Sequence, residues 1–209
     1  MAEGMVGQAE SPAIGRSRVA SLALCGVMAA LVAVCAWVSL PLYPVPFTLQ
    51  TLGVLVAGGL LGRKLGPITL AVYILAGLVG APIFAGGHSG PGVLLGPTGG
   101  YLVGFVGAAF IMGWAGDIAR RGARGQRLRG RRARGKASAV LHLAVGALLA
   151  SVVIYLIGVP WLALVTGMGL KAALTAGMVP YLLSDTIKAA LAVVLVRAVD
   201  RALVSQGLR

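Results

Sequence analysis

The run VASLALCGVMAALVAVCAWVSL, Val19–Leu40, carries no charge over 22 residues. As a helix it is about 33 Å long, enough to cross the roughly 30 Å hydrocarbon core of a bilayer. A helix that is apolar all round must be surrounded by protein or by lipid. Composition points to lipid: 58% of the 209 residues are hydrophobic, 11% are charged, and mean hydropathy is +0.94. Soluble domains are roughly 45–50% apolar and about 25% charged. A soluble enzyme or a disordered tail is therefore excluded as the main body.

The fold class expected is all-α, a polytopic membrane protein with six transmembrane helices. The spans are placed at about Val19–Leu40, Thr48–Gly62, Gly66–Phe84, Gly99–Ala115, Ala137–Val159 and Ala176–Val199. Pro41, Pro44 and Pro46 break the chain between the first two, and the moderately apolar stretch Pro160–Leu174 reads as interfacial. Residues 1–18 hold Glu3 and Glu10 and lack the apolar core of a signal peptide, so the first span is expected to stay as an anchor. The domain plan is an N-terminal segment 1–18, a membrane domain 19–199 with a basic loop at 117–136, and a tail 200–209. Cys25 and Cys35 lie ten residues apart on one helix, a rise of about 15 Å, and read as small buried hydrophobes rather than a disulfide.

Net charge is +13, from 18 Lys and Arg against 5 Asp and Glu. With both ends inside and the spans alternating, the cytoplasmic side receives Arg16, Arg18, Arg63, Lys64, nine basic residues from Arg120 to Lys136, Arg197, Arg201 and Arg209. That is 16 of the 18, with Lys171 and Lys188 left over. This is the positive-inside pattern, and it implies cytoplasmic termini. The block RRGARGQRLRGRRARGK has no interleaved aromatic on which bases could stack, so nucleic acid is not expected and anionic lipid is the better partner.

Asp185 and Lys188, in YLLSDTIKAALAVVL, are the most informative pair. Ionisable groups at membrane depth are costly and point to function, and an i,i+3 pair shares one helix face. The plain reading is a buried ion pair. The functional one adds a ligand: a carboxylate accepts N–H donors and an ammonium donates to a carbonyl, which suits a neutral cyclic urea or amide.

The loop FAGGHSGPGVLLGPTGG, Phe84–Gly100, has seven glycines in 17 residues. It reads either as a flexible outer loop or as backbone brought close to a ligand. The phosphate-cradling pattern G-x-x-x-x-G-K-[ST] is absent from the chain, so no ATP site is expected.

Thr48 and Gln50 either cap backbone freed by the prolines or point into the same mouth. Trp37, Tyr43, Phe47, Phe84, Tyr101, Trp161 and Tyr181 collect at the outer ends of spans. They read as an interfacial belt or as the walls of a ligand mouth. His88 beside Ser89 in a Gly-rich loop, with His142 at the other side of the membrane, gives no catalytic constellation. No metal-ligand spacing is present. Gly26, Ala29, Ala30 and Ala33 form a small-residue face for close helix contact, within the bundle or with another membrane subunit.

PLYPVPFTLQT, then GGLLGRKLGPITLAVYILAGLVGAPIF, then FAGG…GVLLGPTGGYLVGF, then YLLSDTIKAALA, in that order, closely resemble the BioY family. These are biotin-binding S components of energy-coupling-factor transporters, and the likeness runs from about Val19 to Val196. The resemblance implies a six-helix protein that captures biotin from the outer face, with no cofactor and no enzymatic activity. It implies contact of Asp185 and Lys188 with the ureido ring, and a lining from Gly86, Gly87, Gly96, Pro97, Thr98, Gly99, Gly100 and Tyr101. Thr48 and Gln50 belong to the family's proline-rich motif. The Gly26–Ala33 face resembles the surface offered to a transmembrane T subunit, which is driven by two ATPase subunits. The Arg120–Lys136 loop departs from the family in length and charge. A homo-oligomer stays open, as does the alternative of a self-contained ion-coupled secondary transporter with Asp185 as relay.

Overall fold

A computed structural model describes residues 13–128 and 132–206, with side chains given for 19–125 and 135–206. Among the described residues, seven α-helices run in order: α1 (Ala13–Trp37), α2 (Gln50–Leu78), α3 (Pro91–Leu95), α4 (Gly99–Leu128), α5 (Arg132–Thr166), α6 (Leu170–Gly177) and α7 (Leu182–Ser205). Two-residue strands β1 (Ser39–Leu40) and β2 (Phe47–Thr48) pair antiparallel, Ser39 opposite Thr48, and hold the proline segment 41–46 as a loop between them.

α2 is two helical arms joined across a kink. At Gly62 the backbone takes φ 81°, ψ 180°, a conformation open mainly to glycine. In a straight helix Gln50 and Tyr73 would be about 34 Å apart. Here the Gln50 Nε2–H donates to the Tyr73 hydroxyl at 2.7 Å. A Cβ on Gly66 would also lie 3.1 Å from Gly58 Cα. α2 is thus a helical hairpin whose arms, 50–61 and 63–78, are the second and third spans, turned at Gly62. With these two arms, α1, α4, α5 and α7 complete the six-helix plan.

The hairpin tip is seated in a small-residue face of α4. A Cβ on Gly113 would meet Gly62 carbonyl carbon at 2.5 Å, and one on Gly116 would meet Gly59 O at 2.5 Å. Such contacts let backbones approach closely. The polar groups freed at the turn are satisfied by α4: Asp117 Oδ2 accepts the Arg63 N–H at 3.2 Å, and Arg120 donates to Gly59 O at 2.6 Å. Arg120 also pairs with Asp117 at 2.8 Å and with Asp200 of α7 at 3.7 Å. This charged cluster closes one end of the bundle.

Among the described residues, four helical stretches are by length and composition apolar enough to cross a membrane: Val19–Trp37, Gln50–Leu78, which is folded into two arms at Gly62, Gly99–Gly125 and Gly135–Thr166. α7 falls short by composition because Asp185, Lys188 and Arg197 interrupt it. The first arm of α2, at 12 residues, is only about 18 Å long. It is shorter than the roughly 30 Å of a bilayer core, and the paired strands and proline loop of segment 38–49 precede it in the chain.

Several boundaries differ from expectation. Pro160–Leu174 is not one interfacial stretch: α5 carries through Pro160 to Thr166, and α6 starts a new short helix at Leu170. The last helix begins at Leu182, not Ala176, because Val179–Tyr181 forms a 3-10 turn around Pro180. α4 runs on to Leu128 and α5 starts at Arg132, so the basic segment 117–136 is helical on both sides of 129–131, which lie outside the described residues. Of the N-terminal segment, residues 1–12 lie outside them too, as do 207–209 of the tail.

Candidate functional site

A cavity of about 540 Å³ opens at the end of the bundle opposite the Asp117–Arg120–Asp200 cluster. On α4, Tyr101 lines it while Asp117 lies 16 residues, about 24 Å, further along. On α2, Gln50 lines it while Gly62 marks the far tip.

The floor is built by α7. Asp185 and Lys188 are 8% and 5% exposed, so neither faces the surrounding membrane. Lys188 Nζ donates to Asp185 Oδ1 at 2.8 Å, one turn apart on the same face. The ammonium also sits 4.2 Å from the centroid of the Phe47 ring, a cation–π contact. Phe47 in turn stacks on Tyr181, with centroids 6.4 Å apart. The second carboxylate oxygen, Oδ2, accepts the Tyr155 hydroxyl of α5 at 2.5 Å. The carboxylate has about four lone-pair sites and uses two; the ammonium has three hydrogens and uses one on Asp185. Donor and acceptor capacity therefore remain side by side, and the pair is neutral as a unit.

The walls are held by long-range hydrogen bonds. Tyr181 donates to Val45 O, tying the proline loop to the start of α7. Tyr101 donates to Gly177 O at 2.9 Å, and Tyr73 to Ile83 O at 2.8 Å. The Gly-rich loop is anchored as well: Phe84 N–H donates to His88 O at 3.0 Å, and Gly90 N–H to Gly77 O at 2.8 Å. Gly86 and Gly87 adopt φ of 70° and 77° there, which shapes the turn.

Of the residues singled out in the sequence, Thr48, Gln50, Gly86, Gly96, Pro97, Thr98, Tyr101, Asp185 and Lys188 all line this cavity. Thr48 Oγ1 accepts the Gln50 N–H at 3.2 Å and so serves backbone, whereas the Gln50 side chain donates to the Tyr73 hydroxyl rather than to backbone; both residues border the space. Gly87, Gly99 and Gly100 do not line it. Gly99 and Gly100 are helix-packing positions, where a Cβ would meet Leu94 O at 1.7 Å and Trp161 Cβ at 2.3 Å. Gly87 serves the turn.

The aromatics divide in the same way. Tyr43, Phe84, Tyr101 and Tyr181 border the cavity. Trp37 is exposed and donates to Pro82 O, while Trp161 donates to Gly96 O behind the loop. The small-residue face of α1 is split: Ala29 and Ala33 pack against the core, whereas Gly26 and Ala30 are exposed.

Nothing in the sequence alone points to Tyr155 or Tyr73. Each lies in an apolar run that fixes no facing, and only the partner it meets in space marks it out. Among the described residues, no group of three or more His, Cys, Asp or Glu could hold a metal ion.

An ion-paired floor under aromatic walls, recessed in a helical membrane bundle, defines a multi-pass membrane protein that binds a small solute. The family model described as "BioY family" matches residues 8–205. The chain belongs to that family. A protein named biotin transporter BioY from Thermotoga maritima is 50% identical over 88 residues, covering 42% of this chain and 52% of the relative. A probable biotin transporter BioY from Pyrococcus horikoshii is 37% identical over 174 residues, 83% of this chain and 92% of the relative. A solved structure, the S-component for biotin from an ECF-type ABC transporter, superposes with TM-score 0.72 at 27% identity. That match covers 89% of this chain and 93% of the other.

Proposed function

We propose that this chain is the biotin-binding membrane subunit of an energy-coupling-factor transporter, a transport protein and not an enzyme. The observation that carries the reading is the Asp185–Lys188 pair on the cavity floor. A cyclic urea offers two N–H donors beside one carbonyl. The free lone pairs of Asp185 accept the former, and a remaining Lys188 hydrogen meets the latter. Because floor and urea ring are each neutral overall, no uncompensated charge is buried. Phe84, Tyr101 and Tyr181 give the fused ring an apolar wall.

Direction follows from charge. Arg63 and Arg120 gather at the end opposite the cavity. With that end cytoplasmic, both termini face the cytosol and the cavity faces outward, in a bacterial inner membrane. Inward release then requires reorientation by partners, the transmembrane T subunit and its ATPase subunits. Gly26 and Ala30 on the open face of α1 suit close approach by a helix of the T subunit. The basic segment 120–136 meets anionic lipid. Biotin is cargo, and no cofactor is needed.

Native mass spectrometry of protein purified in detergent from biotin-fed cells tests this. Bound biotin in stoichiometric amount is expected. Protein that carries no biotin, and takes none up when it is added, would sink the reading.

A further inference from the structure

The floor pair cancels its own charge, yet biotin carries a carboxylate on its side chain. That single negative charge has no partner in Asp185 or Lys188. The arginines with described side chains lie elsewhere: Arg63 stands at the far end, where its backbone N–H meets Asp117, Arg120 is bonded there, Arg121 and Arg124 follow on α4, and Arg197 and Arg201 stand beside Asp200 on α7. Lys171, exposed at the start of α6, is not on the cavity wall. Among the described residues lining the cavity, one side chain besides Lys188 can become cationic, and it is His88 on the Gly-rich loop.

We infer that His88 is the carboxylate subsite of this cavity, and that it acts only in its protonated form. The inference rests on the biotin reading above. The ring is oriented by its own loop: Nδ1 lies 2.7 Å from Ala85 O. A carbonyl only accepts, so Nδ1 carries the hydrogen. In the neutral ring Nε2 is then a bare lone pair, which repels a carboxylate. In the imidazolium, Nε2–H donates to it. The other titratable groups on the wall are Tyr43 from the proline segment, Tyr101 of α4, Tyr155 of α5, and Tyr181, Asp185 and Lys188 around the start of α7. Asp185 and Lys188 satisfy each other. Imidazole, by contrast, changes charge between about pH 5 and 8. A carboxylic acid with a pKa near 4.3 stays ionised throughout that window, so any change in affinity across it arises in the protein. The backbone hydrogen bonds that pin the loop keep the ring in place before ligand arrives, which lowers the ordering cost of binding.

The experiment is calorimetric titration of the full chain in detergent at pH 5.5, 6.5 and 8.0, with biotin and with biotin amide, whose tail is uncharged. The wild type is expected to bind biotin about tenfold more weakly at pH 8.0 than at 5.5, as suits loss of one charge-assisted hydrogen bond. Biotin amide should show no such slope. His88→Gln should bind biotin at the weaker level at every pH. His88→Lys should restore tight binding without the slope. A flat biotin profile in the wild type, or an unchanged slope in His88→Gln, overturns the subsite while leaving the biotin reading standing if both probes bind. Failure of both probes at every pH overturns the biotin reading itself.

Discussion

The Tyr155 hydroxyl of α5 donates to Asp185 Oδ2 of α7 at 2.5 Å, while Lys188 holds the other oxygen. The carboxylate is thus clamped from two helices before any ligand arrives. Removing the clamp should cost orientation without removing charge. Tyr155→Phe is expected to weaken biotin binding on the order of tenfold, the equivalent of one hydrogen bond to a charged group. The unfolding temperature should fall by only a few degrees. Titration calorimetry beside a thermal melt in detergent separates the two effects, and unchanged affinity would show the clamp to be idle.

The fold of α2 makes a second prediction. Gly113 of α4 lies against the Gly62 turn, where a Cβ would come within 2.5 Å of backbone. Backbone cannot step aside as a flexible side chain can. Gly113→Val should therefore lower stability by about 1–3 kcal/mol or more, the usual cost of overpacking. Gly122→Ala, further along α4 with nothing within 4 Å of its Cβ, should be neutral. Equal melting temperatures for the two variants would contradict the hairpin seat.

Asp117 supports the same turn through charge. It accepts the Arg63 N–H and pairs with Arg120. Asp117→Ala leaves both donors short of an acceptor, and a destabilisation of about 1–3 kcal/mol is expected. Biotin affinity should change little, because the cluster lies at the end away from the cavity. A large loss of affinity with unchanged stability would argue that this end belongs to the binding site.

The open face of α1 separates binding from transport. Gly26→Leu combined with Ala30→Leu adds bulk where both positions are exposed. Binding by the isolated chain should be retained, while co-purification with a T subunit and biotin uptake by the assembled transporter should drop at least tenfold. Retained uptake would move the docking surface elsewhere.

How far the sequence reaches can be read from particular residues. Asp185 and Lys188 were legible because charges in an apolar helix have one acceptable direction, inward, and i,i+3 spacing puts them together. The Gly-rich loop was legible only in part. Its glycines look alike in sequence, but Gly86 lines the cavity, Gly87 makes a turn, and Gly99 and Gly100 admit Leu94 and Trp161. Tyr155 sits in SVVIYLIGV, where hydropathy assigns no face, so nothing local revealed its bond to Asp185. The two arms of α2 were read correctly as separate spans. Their seat on α4 was not, since Asp117 and Arg120 resemble the start of an ordinary basic flank until the Gly62 turn is placed beside them. The sequence places the end of the fifth span at Val159, before an interfacial Pro160–Leu174, yet α5 carries through Pro160 to Thr166 because one proline in a long apolar helix does not end it.

The most direct measurement is biotin titration against Asp185→Asn, which keeps the shape of the side chain and removes its charge. The account predicts affinity weaker on the order of 100-fold with the helical fold intact by circular dichroism. Affinity equal to that of the unaltered chain would contradict it.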